Sequence, residues 1–211
     1  MLNFENLDKL KITGIGALDI PEILPEYEIN KNLDWMPFNY AKTSADGNAG
    51  IHFFIDDYQF ARLWNAPDRY ISTLRRFDCV CSPDFSMYTD MPAAMQIYNH
   101  YRKHWLAAYW QAMGVIVYPT ISWSTPASFE WCFDGEPHES IVAVSSVGTQ
   151  NSTESKRAFL AGYEKMMEVL SPSGIIFYGK VPAEVETCNI IEIPPHYEQI
   201  AAKRKAKQRR A

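Results

Sequence analysis

The sequence predicts an α/β protein built on a mostly parallel open sheet or partial barrel with helices on its faces. Three observations predict it. Short apolar segments alternate with segments of helical period from Ile51 to Ile193. The apolar segments are apolar throughout and do not alternate with polar residues, which suits parallel strands covered on both faces. Residues 77–124 read as a strand ending FDCVC, a long aromatic helix and a second strand ending VIVYPT. A strand, a crossover helix and a parallel strand form a βαβ unit.

The elements follow in order. Residues 1–50 are interrupted by Pro21, Pro25, Pro37 and the DGNAG turn at Asp46–Gly50, and show no period. They read as an N-terminal arm with little regular structure, packed on the body through Trp35, Phe38 and Tyr40. IHFFI (51–55) reads as a strand. Residues 57–76 carry a helical pattern broken at Ala66-Pro67. DCVC (78–81) is the next strand. Residues 92–113 form the long helix, opened by Pro92 and stopped by Gly114. VIVYP (115–119) is a strand, and 129–133 a short helix before the Asp134-Gly135 turn. SIVAVSSVG (140–148), GIIFYGK (174–180) and NIIEI (189–193) are strands, with an amphipathic helix over 155–170. Five or six strands fall short of an eight-stranded barrel. The domain reading is an arm over 1–50, one α/β domain over 51–195 and a basic tail over 196–211.

Composition sets bounds. Of 211 residues 47% are apolar, enough for a core that needs no disulfide or metal to fold. Cys79, Cys81, Cys132 and Cys188 read as reduced thiols, most of them buried, since no Cys-x-x-Cys pair is present. Without a long apolar run or a signal-peptide pattern, the chain is expected in the cytoplasm and not at a membrane. The net charge of −5 hides an asymmetry. Six basic residues (Lys203, Arg204, Lys205, Lys207, Arg209 and Arg210) stand in the last eleven positions with no acidic one. Without them 14 basic residues face 25 acidic ones, an acidic body of about −11. The tail is a candidate nucleic-acid contact or a solubilising extension.

If the strands are parallel, their carboxyl ends share one edge, where ligands of α/β proteins gather. That edge collects Asp56 and Asp57, Ser82-Pro83-Asp84 with Ser86, Ser122-Trp123-Ser124, Ser145-Ser146, and Tyr178-Gly179-Lys180. Asp84, Ser86 and Lys180 are the candidate catalytic set: a carboxylate for proton transfer, a hydroxyl and a positive charge. Arg102, Ser122, Trp123, Ser145 and Ser146 are the candidate substrate contacts, with Trp123 as a floor for a base or sugar. The competing reading is that such residues cap the helices that follow, which suits Thr89 and Asp90 better than Asp84. Arg102 is expected to pair with Asp84 or Asp90. His100 and His104 lie four apart on the polar face of the long helix. With no third ligand in the sequence and Lys103 beside them, no metal site is expected. Dinucleotide, Walker, nucleophile-elbow and zinc-protease motifs are absent, and no cofactor is assigned.

FDCVCSPDFSMYTDMP, the Tyr-Asn-x-Tyr-Arg…Trp…Tyr-Trp-Gln helix, PTISWS, SSVGT and YGK together resemble an uncharacterised domain-of-unknown-function family of bacteria, phages and mobile elements. The resemblance covers residues 46–193. It implies an intracellular, phage- or mobile-element-type protein, and supplies no catalytic residues. Two function classes follow. One is an enzyme acting on a nucleotide, nucleic acid or other phosphate-bearing substrate at the carboxyl edge of the sheet. The alternative is a non-enzymatic protein that blocks a host factor or mimics nucleic acid toward it. The candidate partners are therefore nucleic acid, through the tail, and a host protein.

Overall fold

The computed structural model describes residues 4–10, 12–44, 47–185, 189–195 and 198–199. A small antiparallel hairpin comes first, β1 (Gly14–Ile15) with β2 (Ile20–Pro21). The body then runs β3 (Asp34–Pro37), α1 (Phe38–Ala41), β4 (Ala49–His52), α2 (Arg62–Asn65), α3 (Asp68–Leu74), β5 (Cys79–Cys81), α4 (Ala93–Ala112), β6 (Val117–Tyr118), β7 (Ile141–Ser145), α5 (Thr153–Leu170), β8 (Gly174–Tyr178) and β9 (Ile190–Ile193).

All strands of the body are parallel and lie in chain order. β3-β4-β5-β6 form one sheet and β7-β8-β9 another. A parallel bridge between Thr120 and Ala143 joins them, with the Ala143 N–H donating to the Pro119 carbonyl at 2.7 Å and the Ile121 N–H to the Ala143 carbonyl at 2.8 Å. Strands in sequential order with crossovers of one hand place every helix on the same side. The other side must then close on itself. Trp35 of β3, Cys79 and Cys81 of β5, Tyr118 of β6, Ala143 of β7, Ile176 of β8 and Ile193 of β9 meet in one buried cluster. Side chains from the first strand to the last share an interior, so the sheet curls into a partial barrel. Residues 23–29 run beneath its amino end, where the Ile141 N–H donates to the Glu26 carbonyl and the Tyr118 hydroxyl to the Glu28 carbonyl.

The outward strand residues pack on the helices in two clusters. Ile51, Val80 and Val117 meet Trp105, Leu106 and Trp110 of α4. Val142, Val144, Ile175 and Phe177 meet Phe159, Tyr163 and Met166 of α5. Alternate residues of one strand thus fill two different apolar spaces, which is why the strands read as unbroken apolar runs. Helix starts follow local chemistry: Pro92 stands just before α4, and Ser152 and Ser155 form a reciprocal cap on α5 at 3.0 and 3.1 Å.

Several expectations need correction. The N-terminal stretch supplies the edge strand β3, so the parallel strands number seven among the described residues. Three apolar or sulphur positions hid it in DWMP, a segment too short and too proline-rich to show a period. Trp35 and Phe38 are buried, but Tyr40 is 45% exposed. The short helix after β6 is a 3₁₀ turn over Pro126–Glu130, started by Pro126. The largest departure concerns α4. Its face of Asn99, His100, Lys103 and His104 is buried, while Met95 and Tyr98 are 53% and 40% exposed. The hairpin residues Ile20 and Pro21 and the turn at Asp134–Glu136 cover that face, as the hydrogen bonds of His100 to the Asp134 carbonyl and of His104 to the Pro21 carbonyl show. The tail residues Lys203, Arg204, Lys205, Lys207, Arg209 and Arg210, and Cys188, lie outside the described residues.

Two substitutions test this architecture. Ser82 and Thr120 lock the ends of β5 and β6 by exchanging hydrogen bonds, Thr120 N–H to Ser82 Oγ and Thr120 Oγ1 to the Ser82 carbonyl, both at 2.7 Å. Ser82→Ala leaves a buried N–H unpaired and is expected to cost about 1–3 kcal/mol. Trp110→Ala, at a ring with no exposed surface stacked 5.7 Å from Phe53, is expected to cost about 3–5 kcal/mol. Urea unfolding of both, against Arg157→Ala on the exposed side of α5, measures these costs; the control is expected to stay within about 0.5 kcal/mol.

Candidate functional site

The carboxyl ends of β4 to β8 open into a concavity of about 390 Å³. Each strand end contributes. Phe54, Ile55 and Asp56 follow β4; Asp84, Ser86, Met87 and Tyr88 follow β5; Ile121, Ser122 and Trp123 follow β6. Ser145 ends β7, with Val147 and Thr149 beyond it, and Tyr178 ends β8. Such convergence is what parallel strands of similar length impose when the sheet curls.

The floor is aromatic. Phe54 and Tyr178 stack with centroids 4.8 Å apart and planes 19° apart, over the buried ring of His52. The Trp123 ring forms a wall. It packs on Phe159 at 5.5 Å and lies against Gly162 of α5, where a Cβ would sit 2.1 Å from the indole nitrogen. Gly162 is therefore needed for the close approach of α5 to that ring.

Asp84 is half-buried at the lining. Burial pushes its carboxyl up to about 7; the Asp57 carboxylate adds to the rise and the Lys103 ammonium opposes it. A carboxyl that gains and loses a proton near neutral pH is suited to proton transfer. Ser86 is held in place. Its hydroxyl donates to Asp57 Oδ1 at 2.8 Å, its N–H to Asp57 Oδ2 at 3.1 Å, and its carbonyl accepts from Asn99 Nδ2 at 2.6 Å. Ser122 Oγ has only the Met87 sulphur as a weak partner at 3.9 Å, and Ser145 Oγ accepts from the Val147 N–H at 3.2 Å.

Asp84, Ser86, Ser122, Trp123 and Ser145 thus share one concavity. Three other candidates do not line it. Ser146 is buried, and its hydroxyl donates to the Lys180 carbonyl at 2.7 Å. The Lys180 side chain is exposed, outside the lining. Arg102 lies behind the site, donating to Asn99 Oδ1 at 2.7 and 3.1 Å, with its guanidinium 3.8 Å from the Phe85 ring centre. It reaches Ser86 only through Asn99, so its place is in positioning the β5–α4 loop. Asp57 and Tyr178 stand at the edge the sequence marks, without an assigned role, and Phe54 and Thr149 are not marked by it; an aromatic residue at or just beyond a strand's last position is the signal for Phe54.

No lysine, arginine or histidine stands among the lining residues, and two carboxylates do. Among the described cysteines, burial pushes the Cys79 and Cys132 thiols up to about 12, which disfavours their thiolate forms. Among the described residues one trio could share a metal ion: His100, His104 and Glu136, none of which lines the concavity. No helix among the described residues is long and apolar enough to cross a membrane.

Residues 13–194 match a family described as a domain of unknown function, DUF4417. The Gene 1 protein of Mycobacterium phage D29 is 36% identical over 174 residues, covering 82% of this chain and 64% of its own length. The Gene 1 protein of Mycobacterium phage L5 is 34% identical over 187 residues, 88% of this chain and 80% of its own. The chain thus spans just under two thirds of the D29 relative. No solved structure matches. With the matched region running from β1 to the end of β9 and taking in the whole concavity, the chain belongs to the DUF4417 family, whose relatives here are phage proteins.

Proposed function

We propose that this phage-type protein is an enzyme that uses Asp84 for proton transfer on a nucleoside, nucleotide or nucleic-acid substrate held in the strand-end concavity. The observation that carries the reading is Asp84 itself, a carboxyl titrating at about 7 among hydroxyls and aromatic rings at the lining. The Phe54–Tyr178 stack and the Trp123 ring offer π-faces to a base or sugar. Ser86, Ser122 and Ser145 offer hydroxyls to its polar edges. The acidic lining repels a bare phosphate, so phosphates of the substrate stay at the open rim, the same edge from which Lys180 projects into solvent. Asp57 orients Ser86 as a hydrogen-bonding group beside the base.

A second reading is a non-enzymatic protein that binds a host factor in place of nucleic acid. The acidic body, with 14 basic against 25 acidic residues before the tail, favours it. The six cations of the tail, outside the described residues, are proposed as a contact for phosphates.

Turnover of nucleosides, nucleotides and single-stranded oligonucleotides, followed by chromatography, tests the first reading. Asp84→Asn is expected to lower kcat by about 10²–10⁴-fold with the fold intact. For the wild type, activity is expected to change through about pH 7, the Asp84 value. A variant with full activity, or a chain that turns over none of these substrates yet binds a host protein regardless of Asp84, supports the second reading instead.

Stability gives an independent check. The folded-state value of Asp84 is raised, so between the ordinary carboxylate range and about pH 7 the native state binds more protons than the unfolded one. Its contribution therefore favours folding at pH 4 and is lost as pH rises to 7. Asp84→Asn is expected to be more stable than the wild type at pH 8 and about equal to it at pH 4, as read by urea titration at both. For the tail, affinity for duplex DNA is expected to fall with salt by a log–log slope of about −0.9 per phosphate neutralised. Removing residues 201–211 is expected to flatten that slope.

A further inference from the structure

We propose that His100, His104 and Glu136 form a buried binding site for a divalent transition metal, with Zn²⁺ as the best fit, at the interface of α4 with the turn after the Pro126–Glu130 helix. One ligand-type atom from each of the three residues lies within 4.8 Å of the others, and all three side chains are buried. His100 and His104 stand one helical turn apart, so their rings reach the same point, with centroids 4.3 Å apart.

The hydrogen bonds around the trio indicate what is missing from it. His100 Nε2 faces the Asp134 carbonyl at 3.1 Å, and a carbonyl only accepts. Nε2 therefore carries the proton, and Nδ1 carries the lone pair. That Nδ1 is buried with no hydrogen-bond partner. His104 Nδ1 faces the Pro21 carbonyl at 2.8 Å, which places a proton on Nδ1. Its Nε2 then turns a lone pair toward Glu136 Oε1, 3.0 Å away. Burial disfavours the charged form of both imidazoles. The Lys103 ammonium holds Glu136 ionised against its burial. Two imidazole lone pairs and a carboxylate thus converge, with His100 Nδ1 lacking a partner. The Oε2 of Glu136 is also buried and without a partner. A metal ligand histidine whose other ring nitrogen donates to a backbone carbonyl is the usual way such rings are oriented.

Two imidazoles and one carboxylate occupy three positions of a tetrahedral ion, which holds them about 3.3 Å apart at bond lengths near 2.0–2.1 Å. Water takes the fourth. Lys103 Nζ is the opposing charge. It binds Glu136 Oε1 at 2.5 Å and the Thr120 carbonyl at 2.9 Å, so the partnerless Oε2 is left for the ion. Its presence places the affinity below that of an unopposed site. Sequence alone shows only the histidine pair, because Glu136 lies 32 positions from His104 in an ordinary-looking DGEP turn.

The test uses the full chain, stripped with a chelator, unfolded in urea and refolded with Co²⁺ or Zn²⁺, because the site is closed in the folded protein. The expected result is one equivalent retained per chain after gel filtration, visible absorption bands of a tetrahedral Co²⁺ ion, and a higher urea midpoint with Zn²⁺. His100→Gln and Glu136→Gln are each expected to weaken binding by at least about 10–100-fold, the scale of outer-shell losses. His138→Gln, at an exposed histidine, is expected to leave it unchanged. Should either site variant fail to fold, the imidazole ¹⁵N resonances of the wild type decide. On Zn²⁺ loading His100 Nδ1 and His104 Nε2 shift if they are ligands. No metal retained by the wild type refolded with it, equal uptake by the site variants, unmoved resonances, or a His104 doubly protonated at pH 7 with Zn²⁺ present overturns the proposal.

Discussion

Parallel strands wound in one direction leave an inner surface that no helix covers, and this constraint organises the rest of the molecule. The inner surface must be filled by strand side chains alone. Here Trp35, Tyr118, Tyr178, Ile193 and the small Cys79, Cys81 and Ala143 do so. Large rings opposite small residues let the sheet curl without a gap. Gly50 marks a tight approach on this face, since a Cβ there would sit 2.6 Å from the Trp35 ring. Once the sheet curls, the carboxyl ends of β4 to β8 point at a common space, and residues at or beyond each strand end become neighbours despite separations of up to 124 positions. The Phe54–Tyr178 stack is the direct expression of that closure, joining β4 to β8 across the interior.

Helix α4 links the core to the site. Its C-terminal half is apolar and anchors the outer layer through Trp105, Leu106 and Trp110. Its N-terminal half holds the loop that carries Asp84 and Ser86. Gln96 donates to the Tyr88 and Met91 carbonyls at 3.1 and 2.9 Å, and Asn99 to the Ser86 carbonyl. Between the halves lies the buried Lys103–Glu136 pair. Taking both charges out of water is costly, and the pair persists because Lys103 also bonds the Thr120 carbonyl. Removing one partner alone would leave an uncompensated buried charge, a loss of about 3–5 kcal/mol. The Lys103 charge also reaches Asp84 and moderates the rise of its carboxyl. The same helix thus holds the loop of the candidate base and lowers its proton affinity against the effect of burial.

The legible part of the fold was the part governed by local period. The strands β5 to β9, the position of β4 to within two or three residues, both long helices and the break at Ala66-Pro67 stand in the sequence because each carries its own apolar rhythm or its own breaker. β3 was not legible, since four residues ending in proline show no rhythm and acquire their place only by pairing with β4. Topology alone brought Asp84, Ser86, Ser122, Trp123 and Ser145 to one edge, which needs no motif. Orientation was the part it could not supply. Lys180 and Ser146 stand at the same edge, yet one side chain points to solvent and the other is spent on a backbone carbonyl. The face of His100, Lys103 and His104 read as solvated because its polar residues share a helical side, and polar residues on one side usually face water. What covers them, Pro21 and Glu136, is distant in sequence and carries no helical or strand period of its own.

The account rests on Asp84 being a carboxyl poised near neutrality at the mouth of a curled parallel sheet. The most direct measurement is the carboxyl ¹³C shift of Asp84 followed from pH 4 to pH 9, assigned by its loss in Asp84→Asn. The account predicts a single titration with a midpoint near pH 7, about the value that burial imposes. A midpoint in the ordinary carboxylate range, near 4, would show a solvated carboxylate with no enclosing site and would contradict it.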